Sequence, residues 1–146
     1  MEQNVIISIK GTQTSEDGQE TVEFVTDGWI EGDAEEGFRV SYEETELTGM
    51  TGTVTTFLIK PGRIDMLRSG TLNSEMIFEE GHKHLSLYET PYGAMTIGVN
   101  AKRVRAGIDG QGGEMDIRYE VELDNTLIGE NSFLIRVRQP VASAGV

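Results

Sequence analysis

The 146-residue chain has no cysteine. Thiol nucleophiles, thiolate zinc sites and iron–sulfur centres are therefore excluded, and the two histidines are the only imidazole metal ligands. Basic residues are scarce: 12 stand against 25 acids, for a net charge of −13. That balance repels phosphate backbones and anionic lipid, which argues against nucleic acid and membrane surfaces as partners. No run of 18 apolar residues is present, and the opening MEQNVIISIK lacks the basic start and long apolar stretch of a secretory signal. The expected setting is cytoplasmic. A helical stripe is missing as well.

What is there is a period of two. Met115, Ile117, Tyr119, Val121 and Leu123 alternate without a break against Asp116, Arg118, Glu120 and Glu122. Successive side chains on a strand point to opposite faces, so this segment buries one row and wets the other. Val5/Ile7/Ile9, Phe38/Val40/Tyr42, Ile64/Met66 and Phe133/Ile135/Val137 repeat the pattern. The first 50 residues hold 13 acids and 2 bases, but Val22, Phe24, Trp29 and Phe38 interrupt the charge, which marks wet-faced strands rather than disorder.

Turn signals at Glu16-Asp17-Gly18, Gly32 to Gly37, Thr48 to Gly52, Pro61-Gly62, Ser69-Gly70, Glu80-Gly81, Pro91-Tyr92-Gly93, Gly110 to Gly113 and between Asp124 and Asn131 punctuate the chain. They cut it into about ten β-segments spaced like consecutive hairpins. An all-β fold follows: a closed antiparallel up-and-down meander barrel of about 8 to 10 strands, since closure removes exposed edges. A chain of this size buries roughly 68 to 70% of its unfolded surface and needs no staple. Residues 1–139 are read as one barrel domain and 140–146, small and patternless, as a disordered tail.

Ser41-Tyr42-Glu43-Glu44, Met66-Leu67-Arg68-Ser69-Gly70 and Tyr88-Glu89-Thr90-Pro91-Tyr92-Gly93 stand in that order on the meander. In these motifs, and over about residues 4–138, the chain resembles the bacterial YwiB-type family, a lipocalin-like β-barrel of unknown function. The resemblance implies a calycin-type barrel. It implies no reaction, ligand or catalytic residue. Asp27-Gly28-Trp29 lacks the Gly-x-Trp spacing of secreted lipocalins, so the likeness to those transporters is one of fold only.

Several chemistries can be struck out. Gly32 and Gly37 are spaced as in a phosphate-binding loop, but Phe38 stands where its lysine belongs, and Gly110, Gly112 and Gly113 do not make a dinucleotide turn. Nothing matches a metalloprotease helix, a calcium hand or a serine-hydrolase elbow. His82 and His84 flank Lys83 on an expected strand, where both rings would share one face, but a third metal ligand is missing. Glu31, Asp33, Glu35 and Glu36 crowd one turn without the ordered spacing of a calcium site. Neither a metal nor a cofactor is expected. Lys102, Arg103, Arg105, Arg118, Arg136 and Arg138 form a basic stripe on the last strands, and cross-strand pairing with Asp116, Glu120 and Glu122 accounts for it without an anionic partner.

The set that carries most chemistry is Tyr42, Glu44 and Arg68. Alternation turns Tyr42 and Glu44 inward with Val40, and Arg68 inward with Met66. Interior charges persist only when paired, hydrogen-bonded or met by a ligand. Tyr88 is a further candidate, although its row opposes Leu85 and Leu87. Three functions fit these residues. One is a barrel whose mouth binds a small apolar or anionic molecule through Arg68, oriented by Tyr42 and Tyr88. Another is a cofactor-independent lyase or isomerase using Glu44 as acid or base beside Arg68. The third is a filled structural or interaction module. An interior cavity of roughly 300 Å³ or more favours the first two, and its absence favours the third.

Overall fold

The period-two rows become ten strands in the computed structural model, which describes residues 3–71, 73–90 and 93–140, with side chains for all of these except 87–90. The strands are β1 (Gln3–Ser15), β2 (Gly18–Asp33), β3 (Gly37–Glu43), β4 (Thr53–Lys60), β5 (Arg63–Gly70), β6 (Ser74–Glu79), β7 (Lys83–Thr90), β8 (Gly93–Asp109), β9 (Gly112–Leu123) and β10 (Thr126–Arg138). Their order in the sheet is β6-β5-β4-β3-β2-β1-β10-β9-β8-β7, with every pair antiparallel. Each neighbour is joined by a hairpin except β1 and β10, whose pairing brings the two chain ends together at the middle of the sheet.

This is the expected meander, curled into a nearly closed barrel around one apolar core that includes Ile7, Val40, Phe57, Phe78 and Ile117. Between the edge strands β6 and β7 no ladder forms among the described residues; the seam is crossed by a backbone hydrogen bond from Gly81 N–H to the Ala101 carbonyl at 3.0 Å and by side chains. His84 Nε2 lies 2.9 Å from Glu79 Oε1. Glu80 Oε1 accepts the Val104 N–H at 2.9 Å and Arg105 Nη1 at 2.7 Å, just past the irregularity in β8 between Ala101 and Arg103. The β7–β8 ladder reaches only to Lys83 and Asn100, so past it a carboxylate takes the place of a strand acceptor for the Val104 N–H.

Two expectations need correction. His82 lies in the turn before β7, not on a strand, because its N–H closes that turn onto the Glu79 carbonyl at 2.9 Å. The histidines therefore do not form an i, i+2 strand pair. The last turn is only Asp124-Asn125, both at positive φ (49° and 70°), as a two-residue hairpin requires; the chain re-enters β10 at Thr126 and takes up its extra residue as a register shift between Leu127 and Gly129. The expected tail from 141 onward and the turn residues Pro91 and Tyr92 lie outside the described residues.

The two barrel ends differ. At one, tight turns follow β2, β4, β6 and β8. Asp65 is buried there on the outer row, where Arg63 Nε (2.7 Å) and Lys60 Nζ (3.4 Å) cover it. Burial pushes the Asp65 carboxyl up, but the Arg63 hydrogen bonds and the two cations outweigh this and hold it below the usual carboxylate range. At the other end, β2 pairs with β3 only as far as Gly28, yet stays paired with β1 back to Gly18. A ribbon of β2, β1 and β10 therefore runs on beyond the core. It forms one wall of the mouth.

Candidate functional site

Strand register places Tyr42, Thr55 and Arg68 side by side on β3, β4 and β5. All three share the interior face by alternation. Glu44 follows at the end of β3, where its N–H donates to the Thr53 carbonyl at 2.8 Å and turns its side chain inward. That carboxylate is 1% exposed. Thr48 Oγ1 donates to its Oε1 at 2.9 Å, and the Thr55 hydroxyl donates to its Oε2. Arg68 Nε stands 3.9 Å from Oε2 and donates to Thr55 Oγ1 at 3.4 Å.

Two phenols flank the guanidinium. Burial and then the Glu44 charge push the Tyr42 hydroxyl well above its ordinary pKa, against the opposing field of Arg68. Burial also raises Tyr119, partly offset by the hydrogen bond from Asn131 Nδ2 at 3.4 Å and by Arg68. Both phenols remain protonated at neutral pH and so are available as hydrogen-bond donors, not as bases.

Above this floor lies a cavity of about 250 Å³. Ile9, Phe24 and Phe133 wall it from the ribbon, and Leu47 and Met50 from the long segment 44–52 between β3 and β4. The volume sits just under the 300 Å³ at which ordinary small-molecule sites begin, so the barrel is largely filled by its own side chains but retains a pocket at its mouth.

Tyr42, Glu44 and Arg68 are thus brought together at one cavity. The side chain of Tyr88 lies outside the described residues. Sequence reading overlooked Thr48, Thr55, Tyr119 and Asn131. The signal for Thr55 was its place in the row Thr53/Thr55/Phe57/Ile59, and Tyr119 was visible only as a core residue.

The other sequence clusters have local explanations. No group of three or more metal-ligating side chains occurs among the described residues. Asp33 Oδ1 accepts the N–H groups of Glu35 (2.9 Å) and Glu36 (2.8 Å), which makes the acidic cluster a side-chain-closed turn. In the basic stripe, Lys102 pairs with Glu120 (3.1 Å), Arg103 with Asp116 (2.9 Å), Arg105 with Glu80 (2.7 Å) and Arg136 with Glu114 (2.9 Å). Such wet pairs contribute little, so Arg136→Gln is expected to change stability by less than about 1 kcal/mol in a urea titration, with the difference shrinking further in salt. No helix among the described residues is long and apolar enough to cross a membrane.

Comparison with known proteins agrees with this architecture. The uncharacterized beta-barrel protein YwiB of Bacillus subtilis (strain 168) is 23% identical over 120 residues, covering 82% of each chain. The crystal structure of ywiB protein from Bacillus subtilis superposes with a TM-score of 0.83 over 96% of this chain and 94% of that one, at 18% identity, a likeness of fold. Residues 7–135 match the family described as Domain of unknown function (DUF1934), and the chain belongs to that family of uncharacterised β-barrel proteins.

Proposed function

We propose that the barrel mouth binds a small molecule bearing one carboxylate-like group on an apolar body, with Arg68 holding the anion. One observation carries this reading. Among the described residues the Arg68 guanidinium makes a single hydrogen bond of 3.4 Å and an ion pair of 3.9 Å, while its neighbour Glu44 is already met by two hydroxyls. A guanidinium offers five N–H donors, and carboxylates take two of them in parallel. Arg68 lines a cavity that has apolar walls at Ile9, Phe24, Leu47 and Phe133 and polar ones at Gln13, Glu20 and Ser132, and the apolar side suits the body of an amphiphile of that description.

The catalytic alternative finds less support. A general base must reach its substrate, and the Glu44 carboxylate, 1% exposed and held by the Thr48 and Thr55 hydroxyls, has little freedom to approach one. Neither tyrosine supplies a base at neutral pH, given the direction of their shifts.

Thermal unfolding in the presence of acetate, hexanoate, benzoate and neutral benzamide tests the proposal. At a hundredfold excess over its dissociation constant, a ligand adds about 2.7 kcal/mol, so a fitting acid is expected to raise the Tm by several degrees. Benzamide, without the charge, is expected to do much less. Arg68→Met keeps the apolar stem and is expected to abolish the shift. Absence of any response from the unsubstituted protein, or a shift that survives Arg68→Met, overturns the proposal.

A further inference from the structure

We infer that the ligand of this mouth is flat, a planar aromatic acid, and that Gly11 is the residue that selects for flatness; this rests on the proposed anion role of Arg68. Two aromatic pairs bound the cavity. Phe24 meets Tyr42 edge to face at 6.1 Å, and Phe133 stacks on Tyr119 at 6.0 Å with an interplanar angle of 29°. Phe133 also meets Phe57, 6.4 Å away and edge on. The rings are fixed by packing, so they present set walls.

Gly11 occupies β1 between Val22 of β2 and Phe133 of β10 in strict register. Its φ is not in the left-handed region, so no turn or bend there requires glycine. Glycine inside a strand weakens it and usually marks a close approach of something else. Here the protein itself leaves the space open. A β-carbon at position 11 would rest 3.5 Å from Phe133 Cε1 and 3.6 Å from its Cδ1, ordinary contacts with one edge of that ring, and position 11 itself lines the cavity.

The missing side chain therefore leaves space beside the edge of the Phe133 ring, where a flat ring can be met edge to face, in a cavity that Arg68 also lines. Tyr119 lines the same cavity, and because its oxygen accepts from Asn131 its proton is available to a ligand carboxylate. A cavity of about 150 Å³ already admits benzene, so one ring with one carboxylate suits the space. A puckered or freely rotating body would forgo the ring contact and lose freedom on entry.

Calorimetric titration with benzoate, cyclohexanecarboxylate and hexanoate, on the unsubstituted protein and on Gly11→Ala and Gly11→Val, tests this. Benzoate is expected to bind about tenfold more tightly than cyclohexanecarboxylate, the size of a favourable ring–ring contact. Gly11→Val is expected to weaken benzoate about tenfold or more by filling that space, with an unliganded Tm unchanged or raised, and Gly11→Ala to weaken it less. Should Gly11→Val fail to fold, Gly11→Ala decides alone: unchanged benzoate affinity there overturns the role of Gly11. Saturated acids binding as tightly as benzoate overturn the flat ligand but leave anion binding at Arg68 standing. If none of the three acids binds the unsubstituted protein, both readings fall.

Discussion

Glu44→Ala is expected to lower folding stability by about 3 to 5 kcal/mol, read from urea denaturation at unchanged slope. The carboxylate is the hub of the mouth: removing it leaves the Thr48 and Thr55 hydroxyls without their acceptor and Arg68 without its counter-charge. Each of those losses is a desolvation cost with no compensating bond. The reverse deletion is milder. Arg68→Met is expected to cost only about 1 to 2 kcal/mol, because Glu44 keeps its hydroxyl donors while the thioether stem still packs on the cavity wall. The double variant should fall short of the sum, since the second deletion removes a partner that the first has already stranded. A cost below about 1 kcal/mol for Glu44→Ala would mean that the carboxylate is reached by solvent, and that the mouth is not the tight polar cluster described. The asymmetry between the two single variants is the informative quantity. A purely structural ion pair would make them alike, whereas a cation held ready for an outside anion is cheap to remove.

Much of the barrel is legible in the chain because alternation is a direct record of which side chain faces oil and which faces water. The row Met115/Ile117/Tyr119/Val121 is buried as read, and the glycine and asparagine turns fall where the hairpins close. The errors have a common cause. The turn before β7 and the start of β10 are set by backbone hydrogen bonds and positive φ angles, which residue type marks only loosely. At the mouth, the inward direction of Tyr42, Glu44 and Arg68 follows from parity alone. Which strands bring them together does not: Thr55 lies between Tyr42 and Arg68 only because β4 pairs in one register with both β3 and β5. Thr48 was hidden for another reason. It reaches Glu44 from a long loop without period, where nothing in the sequence indicates which hydroxyl folds back.

The join between ribbon and barrel gives the other large effect. Gly28 is the first residue of β2 paired with both neighbours, Val5 of β1 and Tyr42 of β3. Its φ is not left-handed, so the demand for glycine there is one of space. A β-carbon would fall 2.3 Å from Ile7 Cδ1 and 2.4 Å from the Ser41 carbonyl oxygen. The isoleucine methyl can turn away. The carbonyl belongs to the β3 backbone, which would have to shift, carrying Tyr42 next to it. Gly28→Ala is accordingly expected to destabilise by about 2 to 3 kcal/mol, the usual cost of overpacking against backbone. It should also weaken any acid bound at the mouth, although residue 28 does not line the cavity. Gly107→Ala, on β8, is the matched control: nothing lies within 4 Å of its β-carbon, and replacing a strand glycine there should be neutral or stabilise by a few tenths of a kcal/mol. Denaturation midpoints for the two variants, taken beside benzoate titrations, separate local crowding from a general intolerance of alanine. Equal midpoints would show that β3 yields freely at Ser41, and the position of Tyr42 would then not depend on the missing side chain at 28.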